Sequence, residues 1–162
     1  MISNSKASAP LIKAIRDGAS AGWPICLGYF PIGLALGVLA QKAGIPWWAV
    51  AMMSVLVFAG SAQFICVAML AAKASIPAII LTTFMVNLRH VLMSSAMAVY
   101  LSGVNRRFLC LFAYGITDES FAVNIARFNK TVWGRWRALV VNQLSNAVWV
   151  LATIAGSLIG QF

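Results

Sequence analysis

The chain has 162 residues, 62% of them hydrophobic and only 9% charged, with 12 Lys and Arg against 3 Asp and Glu for a net charge of +9; its mean hydropathy is +0.89. A soluble domain carries about 25% charged residues, so this composition excludes a water-soluble globule and requires an integral membrane protein. The apolar runs are long and continuous, which excludes a membrane barrel built from alternating segments of about ten residues; the expected fold is an all-α, polytopic membrane bundle.

In chain order, residues 1–17 read as a polar N-terminal segment ending in an interfacial turn of helix, with Leu11, Ile12 and Ile15 on one face. The transmembrane domain is expected over 18–162. Its first span is placed at about 19–39, with Pro24 and Pro31 inside it and Gly33 and Gly37 forming a strip for close helix packing. This run is too long for a cleavable leader, so it is expected to stay as an anchor. A turn at 41–46 carries Lys42, and Trp47 and Trp48 stand where an interfacial anchor belongs. The second run, 45–72, is longer than the roughly 20 residues a bilayer core needs, so it should tilt or break near Gly60-Ser61-Ala62-Gln63.

Lys73 marks the next turn. The third run, 76–101, has Asn87-Leu88-Arg89-His90 at its middle, with no other charge on either side. A charge at half depth costs about 2.5–3.5 kcal/mol on insertion scales, so Arg89 needs counter-charges. The fourth run, 108–126, supplies them in Thr117-Asp118-Glu119-Ser120, and the basic loop 127–137 follows. The fifth run, about 138–159, carries Asn142, Ser145, Asn146, Trp149 and Thr153 on one helical face. Five spans with the N-terminus inside place eight Lys and Arg on the inner side (Lys6, Lys13, Arg16, Lys73, Arg127, Lys130, Arg135 and Arg137) and three outside (Lys42, Arg106 and Arg107). No strong internal repeat is visible; an inverted repeat spread over a longer parent stays open.

Three successive runs thus carry a polar break at matched depth, the way many secondary transporters expose half-helix ends to a substrate. A layer holding both signs suits a zwitterionic amino acid. The candidate substrate residues are Ser61, Gln63, Asn87, Arg89, Thr117, Asn142 and Asn146. His90, Asp118 and Glu119 are the candidate proton carriers, because two adjacent acids beside one base leave a carboxyl able to hold a proton. The competing readings are a structural subunit whose charges only tie helices together and, third, an intramembrane enzyme, for which no nucleophile or metal motif is present. Cys26, Cys66 and Cys110 lie singly and form neither a disulfide framework nor a zinc site. No cofactor, metal or nucleic-acid partner is expected.

The stretches Phe58-Ala59-Gly60-Ser61-Ala62-Gln63-Phe64, Val86-Asn87-Leu88-Arg89-His90 and Thr117-Asp118-Glu119, with Pro31-Ile32-Gly33 and Gly37 before them, resemble the signature stretches of the AzlC family, the large subunits of branched-chain amino acid exporters. The resemblance runs from about Gly18 to Phe162. It implies proton-linked efflux of leucine, isoleucine and valine, sometimes methionine, across a bacterial inner membrane, and a small four-span partner subunit of the AzlD type. It marks Gln63, Asn87, Arg89, His90, Asp118 and Glu119 as important positions. Members of that family usually continue for about two more spans, so the chain is also expected to be a short variant or a truncated form.

Overall fold

The computed structural model describes residues 11–162. Among these the fold is all-helical, as the composition requires: α1 (Leu11–Lys42), α2 (Trp47–Val57), α3 (Gly60–Ala71), α4 (Ile76–Ala98, closed by a 3-10 turn at Val99–Leu101), α5 (Arg106–Tyr114), α6 (Asp118–Lys130) and α7 (Arg135–Ile159). The expected boundary at residue 17 falls inside α1, which begins at Leu11; Lys6 and the polar stretch 1–10 lie outside the described residues.

Among the described residues, three helices are long and apolar enough to cross a membrane: α1, α4 with its closing turn (Ile76–Leu101), and α7. The other two apolar runs are each divided into two short helices that turn back. In the first, Gln63 Nε2 donates to Ser54 Oγ at 3.1 Å across the turn, and Val50 and Val67 meet in one core cluster. Both pairs lie symmetrically about Phe58 and Ala59, and Ala71 returns beside Leu39 and Lys42 at the end of α1 where α2 sets out. In the second, Phe108 and Phe112 pack with Phe121, Ile125 and Phe128, and Tyr100 stacks on Phe128 at 4.9 Å, so α6 returns to the end where α5 began. Helices of 11 and 12 residues reach about 17–18 Å, slightly more than half of a roughly 30 Å core. Each hairpin is therefore only about half as deep as such a core, and it returns to the end at which it started.

The second difference from expectation is that Asn87–His90 does not break its helix: α4 runs unbroken from Ile76 to Ala98. The reason is local. The stretch holds neither Gly nor Pro, and its polar side chains leave the backbone ladder intact.

α1 and α7 run parallel and form the main seam. Gly18 lies against Val140 and the Arg137 carbonyl, Gly33 against Ala152, Gly37 against the backbone of Thr153 to Ser157, and Gly160 against Gln41. The missing side chains let the two backbones approach, as in small-residue membrane interfaces. Around this pair, α1 is followed by a hairpin from the end carrying Lys42, and α4, which runs the opposite way, is followed by a hairpin from the end carrying α1's start. The second helix-plus-hairpin unit repeats the first upside down.

A helix that stops inside a membrane leaves backbone groups that water cannot satisfy. Side chains supply the partners. Asn142 Nδ2 donates to the Phe112 carbonyl at 3.0 Å and Gln143 Nε2 to the Leu111 carbonyl at 3.2 Å, closing the end of α5. The Tyr114 hydroxyl donates to the Val55 carbonyl at the end of α2. Thr117 and Ser120 form a capping box at the start of α6.

Candidate functional site

The two hairpin tips meet inside the bundle and border a cavity of about 360 Å³. Its lining holds polar residues, Ser61, Arg89, His90, Thr117, Asp118 and Glu119, together with the apolar and aromatic Ile32, Phe58, Phe64 and Trp149. Tyr29 touches both sets, through Thr117 and Glu119 on one side and the Trp149 ring on the other. Small-ligand cavities combine a largely apolar lining with a few fixed polar groups in this way.

Arg89 joins the tips. Its guanidinium lies 2.6 Å from Asp118 Oδ2 on the second hairpin and donates to Ser61 Oγ on the first. Its Nε is buried and has no hydrogen-bond partner among the described residues. Glu119 is not the second counter-charge of Arg89: its Oε2 lies 2.5 Å from Tyr29 Oη, which is also 2.8 Å from Thr117 Oγ1. With one proton to give, Tyr29 donates to the carboxylate, and the Thr117 hydroxyl donates to Tyr29. The helix start at Gly60 has no side-chain cap, and Ala59, Gly60 and Ser61 of that first turn line the cavity.

The other expected residues lie elsewhere. Gln63 is buried behind the cavity, accepting from Trp149 Nε1 at 2.8 Å and holding the indole in place. Asn87 is half-buried outside the lining, its Oδ1 without a partner. Asn142 is fully buried, accepting from Asn124 Nδ2 at 3.0 Å and closing α5. Asn146 donates to the Tyr114 hydroxyl at 3.2 Å near the hairpin contact. Thus Ser61, Arg89, His90, Thr117, Asp118 and Glu119 come together, and Gln63, Asn87, Asn142 and Asn146 stand behind or beside them.

Tyr29, Ile32, Phe58, Phe64 and Trp149 were not among the expected site residues. Trp149 lay within the polar stripe of the last run, and Tyr29 was the one hydroxyl between Pro24 and Pro31, so both carried a signal. Phe58 and Phe64 bounded the first signature stretch, but nothing there gave Phe58 its left-handed backbone, φ 39° and ψ 53°, which is unusual for a bulky residue and is imposed by the hairpin turn.

Residues 24–162 match the family model described as AzlC protein. The chain belongs to the AzlC family. Relatives of this AzlC chain include an uncharacterized membrane protein of Archaeoglobus fulgidus, 34% identical over 90% of this chain and 62% of its own length. Others are inner membrane protein YgaZ of Escherichia coli, 29% identical over 94% of this chain and 63% of its own length, and the Bacillus subtilis branched-chain amino acid transport protein AzlC, 29% identical over 92% and 59%. The chain spans 65% of the length of the Helicobacter pylori relatives it matches, less than two thirds. No solved structure matches it.

Proposed function

We propose that this AzlC-family chain is a secondary transporter subunit that exports apolar, branched-chain amino acids across a bacterial inner membrane in exchange for protons. The observation that carries the reading is the cavity between the hairpin tips, whose lining combines ionic with apolar side chains. A bound amino acid needs a partner for each charge and an apolar surface for its side chain. Arg89, in the cavity lining, and the uncapped start of α3 suit the carboxylate. Asp118 and Glu119 suit the ammonium group, and Ile32, Phe58, Phe64 and Trp149 suit a leucine, isoleucine, valine or methionine side chain. The Bacillus subtilis relative, named for branched-chain amino acid transport, supports the same substrate class.

When the substrate carboxylate takes over Arg89, the bonds from Arg89 to Asp118 and to Ser61 loosen, and the two tips are free to part. Glu119 and His90, at the same cavity, are the proton carriers in this reading; protonation of Glu119 weakens its hold on Tyr29 and releases α1 from the second hairpin. The partner is a small membrane subunit of the AzlD type. α4 supports such a partner by presenting Ile80, Leu81, Phe84, Val91 and Leu92 with more than half of each side chain exposed.

A purely structural role for Arg89 is the second reading, favoured by its contact with both tips. Efflux of labelled leucine from preloaded cells expressing the full chain with its partner separates the two. Arg89→Gln and Asp118→Asn are expected to lower efflux at least tenfold at normal protein abundance. The exchange Arg89→Asp with Asp118→Arg should stay inactive for a transport site and recover for a structural tie. Undiminished efflux in both single variants would overturn the assigned site.

A further inference from the structure

A second cavity, of about 340 Å³, opens at the end of the bundle where α1 starts, remote from the hairpin tips. Its walls are the first turns of α1 (Lys13 and Asp17), the last turn of α6 (Arg127) and the start of α7 with its preceding turn (Trp133 and Arg137). Three cations face one carboxylate, and that carboxylate is engaged: Asp17 Oδ2 accepts from Arg137 Nε at 2.8 Å. Lys13 and Arg127 have no carboxylate partner among the described residues.

Trp133 fixes the arrangement. Its Nε1 donates to Asn124 Oδ1 at 3.0 Å, and Asn124 is itself fully buried. The Arg127 and Arg137 guanidinium groups lie 5.5 Å and 6.0 Å from the indole centroid, within cation–π range. The ring therefore gathers two like charges beside a third, a cost that a bound anion removes. Planar guanidinium groups match phosphate oxygens well. Val132, in the same lining, is an exposed apolar side chain. A lipid headgroup, held at the end of an apolar bundle by its hydrocarbon tail, meets such a basic cavity at a far higher local concentration than a free anion.

We propose that this cavity binds the phosphate headgroup of an acidic phospholipid, seated between α1, α6 and the start of α7. Basic pockets between membrane helices are suited to such headgroups. The site does not depend on the transport reading.

Thermal unfolding of the purified full chain in neutral detergent tests it, with phosphatidylglycerol, phosphatidylcholine or inorganic phosphate added. Phosphatidylglycerol is expected to raise the melting temperature by several degrees, with no matching shift from the other two. The pair Lys13→Gln and Arg127→Gln should need at least tenfold more phosphatidylglycerol for the same shift. Arg106→Gln with Arg107→Gln removes two charges outside the cavity and should leave the response unchanged. Both target residues are exposed, so the lipid-free melting temperature should match that of the parent; if it drops, Lys13→Arg with Arg127→Lys, which must keep the response, serves instead. Equal loss in the two neutralised pairs reduces the effect to general surface attraction and overturns the site. An equal response to phosphatidylcholine also overturns it, and full stabilisation by inorganic phosphate overturns the lipid assignment.

Discussion

Tyr29 places a single hydroxyl between α1 and the second hairpin, 2.5 Å from the Glu119 carboxylate and 2.8 Å from Thr117. Its ring also packs edge-on against Trp149 at 5.3 Å, so the aromatic body and the polar tip have different partners. Tyr29→Phe keeps the first and removes the second. A hydrogen bond to a charged group is worth about 1.5–3 kcal/mol, and losing one partner leaves the other unsatisfied. Because the bond joins a crossing helix to a hairpin tip, its loss should change transport more than folding. The expected outcome is at least a fivefold fall in leucine efflux for Tyr29→Phe with normal abundance in the membrane. Tyr29→Leu, which removes the ring as well, should also lower abundance. Equal efflux in Tyr29→Phe and the parent would show that the hydroxyl only packs.

At the scale of elements, the α1–α7 seam depends on surfaces without side chains. A methyl group on Gly156 would run into the Leu34 backbone, whereas one on Gly28 would meet nothing within 4 Å. Overpacking of this kind costs about 1–3 kcal/mol. Gly156→Ala should therefore lower the melting temperature by several degrees, and Gly28→Ala should not; thermal unfolding of the two purified variants compares them directly. The Gly33 and Gly37 strip was legible in the sequence because small residues at a four-residue spacing permit a close approach, although not which helix makes it. The apolar runs were legible for the same kind of reason: burial in lipid demands them. Whether a run crosses or turns back was not legible, since one full crossing and two half crossings need similar numbers of apolar residues. The polar stripe of the last run was visible, but its role was not. Asn142 closes an open carbonyl of α5, a need that arises only because α5 ends inside the bundle. The Arg89–Asp118 pair was readable as the answer to a charge at depth. Tyr29 as the partner of Glu119 was not, because that choice follows from how α1 packs on the second hairpin.

For the whole molecule, turning two spans into hairpins redistributes the charges. With five crossings, Lys73 joins the side of α1's start and Arg106 and Arg107 face the other side. In the fold, Ala71 returns beside Lys42, so Lys73 stands with Lys42. Arg135 lies 5.9 Å from the Phe108 ring and Arg137 binds Asp17, which puts Arg106 and Arg107 at the end of α1's start. That end then holds Lys13, Arg16, Arg106, Arg107, Arg127, Lys130, Arg135 and Arg137 among the described residues, and the other holds only Lys42 and Lys73. This asymmetry exceeds the one that five crossings give, and from the positive-inside rule we propose that the end of α1's start faces the cytoplasm. Single cysteines in a background lacking Cys26, Cys66 and Cys110 test the arrangement with a membrane-impermeant maleimide on intact cells. Lys42→Cys and Lys73→Cys should both label from outside, and Arg107→Cys only after permeabilisation. Labelling of Lys42→Cys and Arg107→Cys from outside, with Lys73→Cys protected, would restore five full crossings. It would also separate the hairpin tips that bring Ser61, Arg89 and Asp118 together, so the transport site and the topology stand on the same measurement.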